Sequence, residues 1–169
     1  MAGEDWMMDT RSMSPAVKRF WAAFLHQADD PLDAETRLYE VFQVGDSEAD
    51  ADEGADLIVA GIKTATSSLL WEYEATGNRQ PTKGVLSILT NASAEPVCIV
   101  ETTWLEVQAF SQVDAQFARD YGEWDGTLKT WRKECSAYYS NQCEALNRIP
   151  SPDMPILCER FRVVFPKSK

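Results

Sequence analysis

Lys63 is followed within five positions by four hydroxyl side chains, which are Thr64, Thr66, Ser67 and Ser68. An ammonium group, several hydroxyls and the N–H groups of a glycine turn can together hold a small anion or a polarised carbonyl. A lysine just past a helix end also compensates the helix dipole, which is a purely structural explanation. The segment therefore predicts either a compact binding pocket or a charge at the end of a helix.

The charge of the chain limits the partners that such a pocket can serve. The chain contains 16 Lys and Arg residues against 27 Asp and Glu residues, and its formal net charge is -11. A long nucleic-acid duplex needs a basic face, and the sequence offers no run of Lys and Arg to form one. We expect a short single strand of RNA or a modified nucleoside as the partner, and no extended duplex.

The sequence contains no clear targeting segment and no clear metal-binding motif. The first residues, MAGEDWMMDT, carry acids where a signal peptide needs positive charge, and no later window is apolar enough to span a bilayer. We therefore expect a cytoplasmic protein without membrane contact. The four cysteines form no CxxC pair and His26 is the single histidine, so we expect no metal and no cofactor. The cysteines should be buried free thiols.

Strand and helix patterns occur in an irregular order. Strand-like runs cover residues 37–44, 84–90, 97–107 and 156–165. Helical patterns begin at Pro15 and cover residues 46–61, 111–121 and 127–147. This order predicts an α+β fold, namely a small mixed β-barrel flanked by helices. Residues 15–169 should form a single domain and residues 1–14 a flexible tail, and nothing in the sequence indicates an oligomeric state.

Several motifs resemble one family. GIKTAT at residues 61–66 resembles the GxKxxT signature of ASCH domains, which belong to the PUA-like superfamily. Four more segments look like the longer bacterial members: FQVGDS at 42–47, SLLWEYE at 68–74, ETT at 101–103 and MPILCERFRVVF at 154–165. The similarity extends over residues 20–165. It implies a PUA-like barrel cleft with the GxKxxT segment on its wall, an N-terminal helical extension, and a role in handling RNA or modified nucleosides.

The resemblance also implies candidate catalytic residues. Members of the family include a metal-independent ribonuclease and an amidohydrolase of N4-acetylcytidine. By position, Lys63 and Thr66 match the lysine and threonine of the amidohydrolase triad, and the third member falls near Glu123. Asp120 and Asp125 lie close enough in the sequence that any of the three acids can be the functional carboxylate.

Two reactions are compatible with these residues. In amide hydrolysis, Lys63 accepts the proton of Thr66, whose oxygen attacks the acyl carbon, and Glu123 protonates the leaving amine. In RNA cleavage, the 2′-hydroxyl attacks and Lys63 stabilises the charged phosphorane. We expect a hydrolase, in the first place a metal-independent ribonuclease acting on single-stranded RNA. An amidohydrolase of N4-acylated cytidine and a non-catalytic RNA-binding module are the alternatives.

One position departs from the family pattern. Short members often carry an arginine where Ser68 stands, and Arg79 or Lys83 in the following loop can supply the missing charge. Trp71 and Tyr73 can stack a base, although their spacing also fits a core. Glu101 in an apolar strand needs a partner, for which Lys63 and Arg160 are the candidates. The predicted substrate-binding set is Thr64, Ser67, Ser68, Trp71, Tyr73, Arg79 and Glu101.

Overall fold

A single five-stranded sheet organises the protein. The computed structural model describes Met8 and residues 10–166. The strands are β1 (Leu38–Phe42), β2 (Ala65–Leu69), β3 (Leu86–Thr90), β4 (Pro96–Ala109) and β5 (Pro155–Phe165). Their order is β1-β3-β4-β5-β2. The β1–β3 pair is parallel, and the other three pairs are antiparallel.

Six α-helices surround the sheet in the described part of the chain. They are α1 (Pro15–Leu25), α2 (Pro31–Thr36), α3 (Glu48–Val59), α4 (Leu70–Thr76), α5 (Ala115–Tyr121) and α6 (Leu128–Ala145), with 3-10 turns at Thr10–Ser12 and Phe110–Gln112. Side-chain oxygens cap most of their N-termini by accepting a backbone N–H two or three positions later. The capping residues of the five capped helices are Ser14, Asp30, Ser47, Asp114 and Thr127.

Three apolar clusters hold these elements together. One packs α1 and α2 against β1, β3 and β4, and includes Trp21 and Ile99. The second packs α3 against the opposite face of β3 and β4, through residues such as Ile58 and Val100. The third packs α5 and α6 against β2 and β5 and contains Trp131. We call the sheet face that carries α3 the α3 face.

The α+β prediction is confirmed, and the barrel prediction holds only in part. The sheet is mixed, but within the described residues β1 and β2 are its two edges and do not pair with each other. The start of β2 instead contacts α5, because the N–H of Thr64 donates to the carbonyl of Asp120 at 2.8 Å. The sheet is therefore open.

The described end of the predicted tail contacts the core. Of residues 1–14, positions 1–7 and 9 lie outside the described residues. Met13 is buried in the cluster beneath α1, and Ser14 caps that helix. No helix in residues 10–166 is long and apolar enough to cross a membrane.

The prediction of buried free thiols is confirmed for all four cysteines, Cys98, Cys135, Cys143 and Cys158. Burial raises the pKa of the Cys98 and Cys135 thiols to about 12.

Candidate functional site

The ammonium group of Lys63 is completely buried, with a side-chain exposure of 0%. It donates to the carbonyls of Ala65 at 3.0 Å and Tyr121 at 3.1 Å, and it lies 2.8 Å from Oε1 of Glu123. It also lies 3.5 Å from the centroid of the Tyr121 ring. A lysine has three donor hydrogens, and these three oxygens account for all of them.

The turn after α5 brings this carboxylate to the lysine. α5 ends at Gly122, whose φ of 72° lies in the left-handed region. A Cβ at this position would collide with the carbonyl oxygen of Ile62 and the Cα of Lys63. Glycine is the residue that permits such an approach. The close contact places Glu123 directly beside Lys63.

Only one of the three candidate acids contacts the lysine. Glu123 does so, and its side chain is 22% exposed to solvent. Asp120 instead pairs with the guanidinium of Arg160 at 3.0 Å. Asp125 accepts hydrogen bonds from Thr127 and Thr130 at the start of α6.

Burial and the neighbouring carboxylate act on Lys63 in opposite directions. Desolvation lowers the pKa of Lys63 below its ordinary value of 10.5, while the charge and hydrogen bond of Glu123 raise it. In this conformation the three donors of the buried ammonium group are all engaged by oxygens of the protein, and its charge lies beside that of Glu123.

Thr66 belongs to a different group of polar side chains. In the β2–β5 ladder it lies directly opposite Glu159. Directly paired residues of antiparallel strands project from the same face, so both side chains lie on the α3 face. Thr102, buried on β4, donates to Oε1 of Glu159 at 2.5 Å. Among the described residues, no hydrogen bond joins the Thr66 hydroxyl to Lys63.

Residues on β1 and β3, toward the opposite edge of the sheet, complete this group. Glu40 on β1 pairs with the buried Ser87 on β3, and the negative charges of Glu40 and Glu159 influence each other. The strands β3 and β4 separate β1 from β5. Their side chains at this level are the small Ser87 and Thr102, both of which are buried. We call Glu40, Thr66, Ser87, Thr102 and Glu159 the polar row.

The carboxylates of the polar row retain their protons at unusually high pH. Burial, followed by the charge of Glu159, raises the pKa of Glu40 to about 7. Burial also raises the pKa of Glu159, against a smaller opposite effect of the hydrogen bond from Thr102. With a pKa of about 7, Glu40 can both hold and release a proton near neutral pH, which suits proton transfer.

The raised pKa of Glu40 predicts how stability depends on pH. Between its ordinary value of 4.5 and about 7, the folded state keeps a proton that the unfolded chain has lost, so stability falls as pH rises through this window. We expect Glu40→Gln, which mimics the protonated acid, to gain up to about 3 kcal/mol at pH 8. The gain should vanish at pH 4. Urea unfolding at both pH values measures it.

The matched control for this prediction is the exposed Glu95. Glu95→Gln removes the same charge from a solvated turn, and we expect a change within about 0.5 kcal/mol at either pH. An equal gain at pH 4 and pH 8 for Glu40→Gln would contradict the proposed protonation of Glu40.

The other predicted substrate-binding residues do not form one site. Ser67 faces α6, where its hydroxyl shares a 2.6 Å hydrogen bond with Tyr139. The hydroxyl of Thr64 donates to the Asp120 carbonyl at 3.3 Å. Trp71 packs against the cluster beneath α5 and α6, with the guanidinium of Arg148 4.8 Å from its ring.

Tyr73 on α4 and Ser68 on β2 lie next to the polar row. Burial raises the pKa of Tyr73, and the charges of Glu40 and Glu159 contribute to that shift. The hydrogen bond of Ser68 to Tyr73 acts in the opposite direction. The backbone carbonyl of the exposed Arg79 accepts the hydroxyl of Tyr39 at 2.5 Å.

The partners of Glu101 differ from both sequence candidates. Its carboxylate binds Arg162 at 2.6 Å and Arg37 at 3.3 Å, not Lys63 or Arg160. These ion pairs join β4 to β5 and to the start of β1, so they support a role for Glu101 in holding the strands together.

Sequence reasoning missed Glu40 and Glu159. Glu159 did carry a signal, because it interrupts the apolar segment ILCERF on a strand. Glu40 lies in the shorter run LYEVF, where a single acid is unremarkable. Their proximity depends on the shape of the sheet. No group of three or more His, Cys, Asp and Glu side chains in the described part of the chain is arranged to hold a metal ion.

Comparison with known proteins identifies similar chains. The ASCH domain family model matches residues 40–165. The crystal structure of an ASCH domain from Lactobacillus crispatus is 28% identical, with a TM-score of 0.86, and the match covers 93% of this chain and 99% of that one. A crystal structure of a protein from Enterococcus faecalis is 29% identical, with a TM-score of 0.77 and 88% of each chain covered. No curated protein matches the chain.

Proposed function

Because the chain belongs to the ASCH domain family, which has a PUA-like fold often linked to RNA binding, we propose that it is a hydrolase of N4-acylated cytidine. The observation that carries this proposal is the position of Thr66 directly opposite Glu159. The pair supplies a hydroxyl nucleophile and a neighbouring carboxylate. Glu40 projects from the same face, and the charge of Glu159 contributes to its raised pKa.

The proposed reaction has two stages. Glu159 in its deprotonated form takes the proton of Thr66, and the Thr66 oxygen attacks the acyl carbon. The C–N bond breaks as Glu159 passes this proton to the exocyclic nitrogen, which leaves as the amine of cytidine. A water molecule, deprotonated by Glu159, then hydrolyses the acyl-threonine ester, and Glu159 returns that proton to Thr66.

This assignment differs from the roles that the family resemblance implies for Lys63 and Glu123. The amide reaction that the resemblance implies requires Lys63 to reach the Thr66 hydroxyl, and the ribonuclease reaction requires it to reach the phosphorane, whereas here all its donors contact Ala65, Tyr121 and Glu123. We assign the Lys63–Glu123 pair to holding the turn after α5 against the start of β2.

The charge of the chain favours a nucleoside over an RNA strand. A ribonuclease must hold a phosphate, and the formal net charge of -11 opposes polyanion binding. A neutral nucleoside avoids this repulsion.

Hydrolysis of N4-acetylcytidine tests the proposal. We expect Thr66→Val, which keeps the β-branched shape but removes the hydroxyl, to lower kcat/KM by roughly 10³-fold or more. Thr66→Ser should retain measurable activity. The matched control is Thr64→Val, since Thr64 stands two positions away and its hydroxyl meets only a backbone carbonyl. We expect that variant to keep most of the activity.

Two outcomes would overturn the proposal. Equal rates for the wild-type protein and Thr66→Val would remove Thr66 as the nucleophile. Cleavage of a labelled single-stranded RNA in EDTA, with no release of acetate from N4-acetylcytidine, would favour the ribonuclease hypothesis instead.

A further inference from the structure

A half-exposed tryptophan lies where α5 turns into α6. Trp124 keeps 49% of its surface exposed, and its ring stacks on Tyr121 with centroids 5.8 Å apart and planes inclined by 12°. Tyr121 in turn packs against Phe117 and Trp131 in the core. The indole therefore rests on a rigid support, and a large part of its surface remains in contact with solvent.

The backbone of Trp124 is strained. Its φ is 56°, in the left-handed region that a bulky side chain rarely adopts. Such conformations persist where the surroundings enforce them, and they concentrate at functional sites. Gly122 and Gly126 have similar φ values of 72° and 68°, at no comparable steric cost. A tryptophan at this position therefore costs more conformational free energy than a glycine would.

An open groove lies beside the indole. Its volume is about 570 Å³, within the size range of small-molecule sites. Ile62, which is 56% exposed, and Leu128 give it an aliphatic wall, and Trp124 gives it an aromatic one. An aromatic ring beside flat aliphatic surface suits a planar ligand that can stack.

Two charged residues line the same groove. The carboxylate of Asp125 is engaged by the hydroxyls of Thr127 and Thr130. Arg119 donates to Gln116 at 2.8 Å and forms no ion pair with any residue in 10–166. Its remaining donors are free to meet one anionic group, such as a single phosphate.

We infer that this groove, lined by Ile62, Arg119, Trp124, Asp125 and Leu128, is a nucleotide-binding subsite. The base stacks on Trp124, and one phosphate meets Arg119. The subsite lies at the α5–α6 junction, whereas Thr66 and the polar row lie on the α3 face, so base binding does not depend on the proposed amide hydrolysis.

The test is an NMR titration with adenosine 5′-monophosphate. We expect saturable binding with a Kd of about 1 mM or tighter. Trp124→Gly removes the indole and relieves the φ strain, so it should fold, as its melting temperature will show. We expect it to weaken binding at least about fivefold, the lower limit for loss of one base stack. Trp124→Phe should retain most of the affinity.

Three comparisons make the result specific. Tyr138→Ala, which removes an exposed aromatic ring from α6 away from the groove, should leave the Kd unchanged. Ribose 5-phosphate, which has no base, should bind far more weakly than the nucleotide. Arg119→Gln should weaken the nucleotide but not adenosine. Equal binding by wild-type protein and Trp124→Gly, or no saturable binding at all, would overturn the inference.

Discussion

Replacing Lys63 by methionine is expected to lower the free energy of unfolding by about 3 kcal/mol. The substitution keeps an unbranched side chain that is one atom shorter, but it removes the charge and all three donors. The buried carbonyls of Ala65 and Tyr121 then lose their hydrogen-bond donor, and Glu123 keeps a charge without its counterion. The loss is at the lower end of the range for buried pairs, because Glu123 retains contact with water.

Chemical denaturation at neutral pH measures this loss. The matched control is Lys133→Met on α6, where the lysine pairs with Glu134 but is 81% exposed. Solvent and salt screen an exposed pair of this kind, so the control should be nearly neutral. Similar small losses for both variants would show that the buried contacts of Lys63 do not stabilise the fold.

Gly122→Ala is expected to destabilise the protein by about 3 kcal/mol. Left-handed backbone costs a non-glycine residue roughly 1 to 2 kcal/mol. The new methyl group also collides with the backbone of Ile62 and Lys63, and such overpacking costs about 1 to 3 kcal/mol. The backbone atoms cannot rotate away as a side chain can, so the turn after α5 must move and separate Glu123 from Lys63.

Gly126→Ala separates the two causes. Gly126 has a φ of 68°, but a Cβ there meets no described atom within 4 Å. We expect this variant to lose only the conformational part, about 1 to 2 kcal/mol. Urea unfolding of the two variants side by side isolates the effect of the collision. A loss for Gly122→Ala no greater than that for Gly126→Ala would contradict the close approach at Lys63.

Local sequence signals predicted much of the fold. The acidic run before the apolar face of α3, with Ser47 as its cap, identified that helix. The strands expected over residues 97–107 and 156–165 correspond to β4 and β5. α2 was not predicted, although Asp30 caps a helix that begins at Pro31.

Non-local contacts explain the larger omissions. β2 has the sequence ATSSL, which contains too few apolar residues to indicate a strand. It is extended because it pairs with β5 over five positions, and that pairing joins residues about ninety positions apart. α4 follows directly from β2 and was interpreted as a short amphipathic turn.

The candidate site was predictable to a similar degree. Glu123 was named as a neighbour of Lys63 through the family resemblance, and the contact at 2.8 Å agrees with that placement. The meeting of Glu40 with Glu159 was not foreseeable, because their strands are separated by two others. No spacing in the sequence reports which side chains approach across a sheet.

The contact between Lys63 and the Ala65 carbonyl also occupies one hydrogen-bonding group at the edge of the sheet. An edge strand offers unpaired N–H and C=O groups to any other extended chain. On β2 the Ala65 carbonyl is occupied by an ammonium group that is itself anchored by Glu123. A strand that adds here must first displace a buried cation from its counterion, so the edge of β2 resists intermolecular pairing, and loss of this lysine should promote self-association as well as unfolding.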